Sequence, residues 1–565
     1  NKMEISTYRL ILSSIKDLDI LNRSGAEKKE TDDEGVKKLC RHCKCDTENI
    51  NNPKNLAHKN QLWEPSDFVF DGDDEKQDKE KFTSISHHRI DNAFHHLEFG
   101  CNDNNIHMAT PGECLHMHQL GIAMRTVESI STWIGSESSQ HKFNIVALRY
   151  GGSLHRQSDR HLPKTRFGSS VLNTAMKEGK DYAGMLLCIL LTVLSCEGRQ
   201  IMGATDEKLS GQVSFIELVL GMEEFLKHGT ITLSGIVSLR RMMRHFLSTI
   251  NKQCHRDKGM ENKLIKNHLF LHVPEYVERW GPLTGSDSSP SESHHKTEIK
   301  GPSKNTQRNA STLIEQTWER KRDKDLIRSV SSLYKKYIHN PDKTKDKSIE
   351  SDDKRGSRAK LYQTENNGTP KMTWTKVVNR EKPEFPQRVL KFCCKNILPI
   401  IDCDYIDLQT EHHRVDKNDK SNTFIFRAQP SYRTDTAQDS TVWYDWANFN
   451  ITKTAIIPCQ ILCFVYINNI KPGEHSVSMY PVKCNGCYAV VCRFIDAPKP
   501  VRFSKFVQCG TVSKELYLFH CDTIEAVAAV VHDRRESSSE DNHFFVVKNR
   551  SEWLNIFFSK MKALR

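Results

Sequence analysis

The spacing of apolar residues changes partway along the chain, and no single layer architecture accommodates both patterns. Between His87 and about Glu275 apolar residues recur every three or four positions, which places one stripe on a helix. After Asn422 they come in short runs separated by turns, which reads as strands. Four stretches carry the helical pattern, 113–133, 181–196, 213–228 and 234–251, with Gly198, Gly203, Gly211 and Gly229 as breaks. They predict a helical bundle of roughly 150 residues. Its densest apolar run, GMLLCILLTVLSC at 184–196, falls short of the ~20 residues a membrane helix needs. No secretory signal opens the chain, so the expectation is a protein that neither spans a membrane nor is exported.

At 565 residues the chain has room for roughly three or four domains. Segment 1–86 reads as an N-terminal amphipathic helix (4–22) followed by the cysteine-rich LCRHCKC at 39–45. Segment 87–338 holds the bundle and a basic helix over 311–337. Segment 339–421 is expected to be a flexible charged linker, because it is too poor in apolar residues to offset its ordering entropy. Segment 422–565 is expected to be a small, mostly β barrel or sandwich. Its runs are TFIFRA, VWYDWANF, AIIPCQILCFVYI, YAVVCRFI and HFFVVK, with Asn485-Gly486 as a hairpin signal and helices near 524–531 and at the C-terminus. The charge balance, 82 − 71 = +11, permits nucleic-acid binding without requiring it. The 18 cysteines are scattered rather than framework-spaced, and read as free thiols or metal ligands.

Several clusters can carry chemistry. Cys40 and Cys43 have the spacing to reach one tetrahedral Zn²⁺, but CxxC alone is half a site, and structural or reactive thiols fit as well. His268 and His272, four apart, share a helix face and offer a second half. Cys45 and His42 compete as ligands. In Thr110-Pro-Gly-Glu113-Cys-Leu-His116, Thr110 suits an N-cap and Pro111 the first turn, and Glu113 and His116 share a face. A capped helix whose acid meets the dipole explains this motif equally. Glu292, followed by Lys296, Lys300, Lys304 and Arg308, can place a carboxylate and a divalent metal beside a phosphate backbone, or form a polar loop. Cys459, Cys463, Cys484 and Cys487 can make a zinc ribbon, against which stands burial as thiols in a β domain. Arg156, Arg160, Lys164 and Arg166 form a basic stretch between helices that suits phosphate or plain solvent.

In order and spacing this set resembles the transposases of the KDZ, Plavaka and CACTA-like supergroup of cut-and-paste DNA elements. The likeness is carried by LCRHCKCDT (39–47), NAFHHLEFG and IHMATPGECLHMHQLGI (within 92–122), RQSDRHLPKTRF (156–167), KDYAGMLLCILLTVL (180–194), KNHLFLHVPEYVERWGP (266–282), SESHHKTEIKGPSKNTQR (291–308) and IEQTWERKRD (314–323). It covers about 39–330, with a weaker likeness through RAQPSYR (427–433) and WYDWANF (443–449). The resemblance implies an α+β fold: a remnant of a ribonuclease H-like core dominated by a large helical insertion domain, followed by the small, mostly β C-terminal domain. It implies a structural Zn²⁺ on Cys40, Cys43, His268 and His272, stapling the insertion to the core. It puts Glu292 at the third acid of a DDE triad, with Lys296, Lys300, Lys304 and Arg308 toward DNA. Glu113 and His116 match a [C/D]xxH motif, with Glu where Cys or Asp is usual. Transposon-end DNA, homo-oligomers and a nuclear location belong to the same family picture.

The triad would hold two Mg²⁺ or Mn²⁺ ions for phosphoryl transfer, which takes three carboxylates. Both aspartates should precede the CxxC on strands. Only a helix and a charged loop lie there, and Asp17 and Asp19 sit on that helix. Asp71 follows FVF but comes after the cysteines. The expectation is therefore a transposase-derived DNA-binding protein, truncated or decayed and catalytically defective. The alternatives are a non-catalytic DNA- or chromatin-binding protein, or a zinc-stapled interaction protein.

Overall fold

The computed structural model describes residues 40, 42–46, 49–50, 52, 111–156, 162–175, 177–254, 264–290, 298, 301–304, 306, 312–337, 357–363, 370–377, 385–415, 423–428, 446–452, 455–477, 480–482, 484–496, 504–533 and 543–564. The amphipathic helix expected over 4–22, Asp17, Asp19 and Asp71 lie outside them.

The first half is helical. A π-helical segment, Cys114–Ala123, runs directly into α1 (Met124–Ile134). There follow α2 (Glu137–Arg156), α3 (Asp181–Leu194), α4 (Cys196–Met202), α5 (Asp206–His228) and α6 (Ile236–Gln253). Next come α7 (Ile265–His268), a 3₁₀ turn (Leu269–His272), α8 (Val273–Trp280), α9 (Gly301–Lys304) and α10 (Leu313–Tyr337). Helix α3 is buried on every side, as a helix apolar all round must be. Gly184 makes its central position possible, since a Cβ there would sit 1.7 Å from the Lys164 carbonyl oxygen. No single helix among the described residues is long and apolar enough to cross a membrane; α3 and α4 meet at 88°. Ser195 caps α4 by accepting from Gly198 N at 3.0 Å, and Gly203 ends it in the left-handed region at φ 54°. Thus Gly203 and Gly229 do flank helices, whereas Gly198 and Gly211 lie inside them. Helix α2 is an element the sequence reading did not single out.

The second half is an antiparallel half-barrel sheet. Its strands are β1 (Arg358–Gln363), β2 (Pro370–Lys376), β3 (Tyr405–Gln409), β6 (Trp446–Thr452), β7 (Ala455–Ile467), β10 (Gly486–Asp496), β11 (Val507–His520), β12 (Ile524–Val527), β13 (Ala529–Asp533) and β14 (His543–Val547). The order is β13-β14-β11-β10-β7-β3-β1-β2, with β6 joining β7 to β12. Two hairpins stand apart, β4 (Glu411–Val415) with β5 (Thr423–Arg427), and β8 (His475–Val477) with β9 (Tyr480–Val482). Helix α11 (Gln387–Asn396) covers one face of the sheet, packing Val389, Leu390 and Cys393 against Leu408, Val465 and Val490.

Three expectations are corrected. Segment 339–421 is not a flexible linker throughout, because β1, β2, α11, β3 and β4 fall within it and β1 buries Ala359 and Leu361. A strand with one buried face needs only two or three apolar residues, too few to register in composition. The segment 524–531 is not a helix but strands β12 and β13, its valines and alanines claimed by β6 and β14. Asn485-Gly486 does not close a two-residue hairpin, since β9 pairs with β8 while β10 pairs with β7 and β11.

The two halves share a core. Helix α12 (Arg550–Ala563), with an Asn549/Glu552 capping box, lies along α5 and stacks Phe557 on Phe225 at 5.5 Å between centroids. Trp553 is fully buried and stacks on Phe506 at 5.2 Å. The buried carboxylate of Glu217 accepts from Ser504 Oγ (2.7 Å), Lys505 N (2.5 Å) and Phe506 N (2.9 Å), with Lys560 Nζ 3.5 Å away. Among the described residues no strand is assigned before β1.

Candidate metal centre

The CxxC segment docks against the short helix α7 and the 3₁₀ turn after it, with Ile265 and Leu269 packed on Cys40, Cys43 and Cys45. The i,i+4 spacing turns His268 and His272 to the same side, and Pro274 opens the next helix. Cys40, His268 and His272 are fully buried and Cys43 nearly so. Their donor atoms all lie within 4.8 Å of one another. Cys40 Sγ is 3.4 Å from His272 Nε2, Cys43 Sγ is 3.2 Å from His268 Nε2, and the two Nε2 atoms are 3.3 Å apart.

These separations match the edges a metal tetrahedron would have. Two nitrogens at about 2.05 Å and two sulfurs at about 2.3 Å from one ion stand about 3.3 Å (N–N) and about 3.5 Å (N–S) apart. An ion-free cluster explains the two S–N contacts as hydrogen bonds. One cation between the two Nε2 atoms accounts for the 3.3 Å N–N separation together with both S–N distances. The second shell agrees: His268 Nδ1 donates to the Ile50 carbonyl at 2.7 Å, which leaves Nε2 free to ligate.

Charge points the same way. Burial opposes ionisation of the Cys40 thiol, yet the hydrogen bond from Cys43 and the two imidazoles hold its pKa well below the thiol norm. Cys43 is pushed strongly upward by its bonds to Cys40 and Cys45 and by burial. Both shifts arise from the close packing of the two thiols with each other and with the imidazoles. The four residues fit a metal such as Zn²⁺, held structurally with no ligand position left to solvent. Of the competing ligands, His42 instead sets its ring edge-on to Tyr276 at 5.2 Å, and Cys45 Sγ points to the Asp46 carbonyl at 3.5 Å.

Glu113 and His116 lie beside this centre. The helical segment begins at Cys114 with Glu113 as its N-cap, rather than at Pro111 capped by Thr110, which lies outside the described residues. The buried Glu113 carboxylate accepts from Leu115 N and His116 N, both at 2.8 Å, and meets His116 Nδ1. A Cβ on Gly112 would meet the Tyr276 ring at 3.2 Å, so the motif packs on the helix that follows the histidine pair. His116 Nδ1 also lies 3.4 Å from Ser288 Oγ, four residues before Glu292 in sequence.

Glu292, Lys296, Lys300 and Arg308 lie outside the described residues; Lys304 is exposed at the end of α9. Arg156 ends α2, Arg160 is outside the described residues, and Lys164 pairs with Asp181 at 3.1 Å. The ribbon considered for Cys459, Cys463, Cys484 and Cys487 does not assemble among the described residues. Cys459 and Cys463 are buried in β7, Cys484 is exposed, and Cys487 faces Cys521 instead.

The sequence reading missed a buried polar network next to the π-helical segment. His118 Nε2 donates to the Val219 carbonyl at 3.0 Å, and Gln119 donates to Glu223 at 2.9 Å. Lys227 pairs with the same carboxylate, and His118 Nδ1 faces it at 4.0 Å. Burial pushes the His118 pKa down to about 4. The available signal was a histidine, an amide, an acid and a lysine on otherwise apolar helix faces.

No protein-family model matches this chain, and no curated protein matches it in sequence.

Proposed function

We propose that the chain is a transposase-derived DNA-binding protein of a cut-and-paste element, acting in the nucleus on transposon-end DNA. In this reading the helical half is the insertion domain of a ribonuclease H-like DDE enzyme. The reading is supported above all by one observation: two motifs 225 residues apart, CxxC and HxxxH, meet in one buried cluster. Such a convergence is what a metal staple of the kind the resemblance implies would require. The [C/D]xxH-like Glu113/His116 turn lies against it and reaches Ser288, on the chain leading to Glu292. Lys296, Lys300, Lys304 and Arg308 would neutralise phosphates. Glu292 would carry one of the three carboxylates that a Mg²⁺ or Mn²⁺ pair needs.

Fluorescence anisotropy on labelled duplex DNA tests this. The expected result is binding whose affinity falls steeply with salt, with the log–log slope reduced by roughly 1 per lysine or arginine removed. Salt-independent binding, or none, contradicts it. Strand transfer in Mg²⁺ or Mn²⁺ that is lost in Glu292→Gln would show a complete catalytic site and overturn the catalytic part alone.

A second reading, a zinc-stapled interaction protein, is favoured by α10. That helix exposes Ile314, Trp318, Leu326, Ile327, Val330 and Leu333. Absence of DNA binding with the metal centre intact would favour it.

A further inference from the structure

A second group of metal-type ligands lies in the β half, about which the function proposed above says nothing. Cys487, at the start of β10, stands opposite Cys521, the residue just past β11, by extension of the Tyr488–His520 register. Their sulfurs are 3.6 Å apart. The third member comes from β4. After Gln409 pairs with Phe464, the chain leaves the ten-stranded sheet at Thr410, whose carbonyl accepts from Ala428 N at 2.7 Å. This turn carries the β4–β5 hairpin over the sheet and sets the His412 ring 5.5 Å from that of Phe464. Phe464, Phe519 and Cys521 belong to one apolar cluster, with Cys487 packed on it. The donor atoms of His412, Cys487 and Cys521 therefore converge within 4.8 Å at the rim of that cluster.

We propose that His412, Cys487 and Cys521 form a second metal site, which takes one Zn²⁺ or similar thiophilic ion and keeps its fourth position open to solvent. Two thiolates on one tetrahedral Zn²⁺ stand about 3.8 Å apart, close to the 3.6 Å seen. The donor set, two soft sulfurs and one imidazole, selects zinc-like ions over Mg²⁺ or Ca²⁺. Cys521 is buried while His412 and Cys487 are only partly so, which closes the site on the core side and opens it outward. Binding would displace the thiol protons to solvent and form two metal–thiolate bonds and one metal–imidazole bond; nothing is oxidised or reduced. Three protein ligands and one free position distinguish this site from the closed first centre, and describe a site able to accept an incoming donor atom.

The test is zinc content of the purified full chain, by mass spectrometry of the metal. The wild type should hold two zinc ions. His412→Ala and Cys487→Ser should each hold one, while Cys43→Ser should lose only the other, so failure at one site is distinguishable from failure at the other. A second measurement needs no variant: iodoacetamide labelling of Cys487 should slow at least tenfold when Zn²⁺ is added to chelator-treated protein. Wild-type zinc content in both His412→Ala and Cys487→Ser, labelling indifferent to Zn²⁺, or a Cys487–Cys521 disulfide in place of the ion would each overturn the proposal.

Discussion

The helical half and the β half both gather cysteine and histidine, but by opposite routes. In the helical half the ligands come as two local pairs, and the fold only has to bring one loop against one helix. In the β half each ligand comes from a different strand or turn, and only sheet register brings them together. The helical centre is closed and buried, as a staple must be, whereas the β cluster sits at a rim. The same contrast runs through the other buried polar groups. His118, Glu223 and Lys227, and the Glu217 carboxylate that receives the segment before β11, all sit on or against helices and are committed to named partners. Buried polarity thus fastens pieces together in the helical half, whereas in the β half it gathers donor atoms at a rim.

The largest effect should come from the staple. Chelation, or Cys43→Ser, should lower stability by on the order of 3–5 kcal/mol or more, because it leaves unpaired polar groups in a dry site. Calorimetry should show a clear fall in Tm, and an unchanged Tm would break the distinction between staple and rim. Next is Glu217→Ala, which strands one hydroxyl and two backbone N–H donors and should cost about 3 kcal/mol. Urea melts followed by Trp553 fluorescence would report it, since Trp553 packs on Phe506 in that same segment.

The pH response comes third. His118 is held neutral when folded but protonates near 6.5 when unfolded, so the unfolded state binds the extra proton between those values. Stability is therefore unaffected above about pH 6.5 and falls as pH drops toward 4, by up to roughly 3 kcal/mol. His118→Gln, which keeps a donor for the Val219 carbonyl, should flatten this part of the wild-type slope. An identical slope in the variant would remove His118 from the account. The smallest stability effect belongs to the rim, where Cys487→Ser should cost under about 1 kcal/mol while removing a zinc ion. A collapse of the fold there would show that the rim is a staple too.

How much of this was legible depends on the distance over which residues must cooperate. Helices α3, α5 and α6 were readable because each carries its own three-to-four spacing, and the two halves of the metal centre were readable as short local motifs, whereas only the family resemblance joined them. The strands β1 to β3 were not, because their few buried residues become apolar faces only once paired. The sequence 524–531 misled because alanine and valine suit either structure, and its neighbours β6 and β14 decided the outcome. The cluster of His412, Cys487 and Cys521 has no spacing at all, since sheet register alone creates it.

X-ray absorption at the zinc edge of the full chain carrying both Cys487→Ser and Cys521→Ser reads the closed centre by itself. With the rim site removed, one zinc per chain is expected, with two sulfurs at about 2.3 Å and two nitrogens at about 2.05 Å, the values of a closed Cys₂His₂ site. A folded, zinc-free protein, or a shell of oxygen and nitrogen without sulfur, would contradict it.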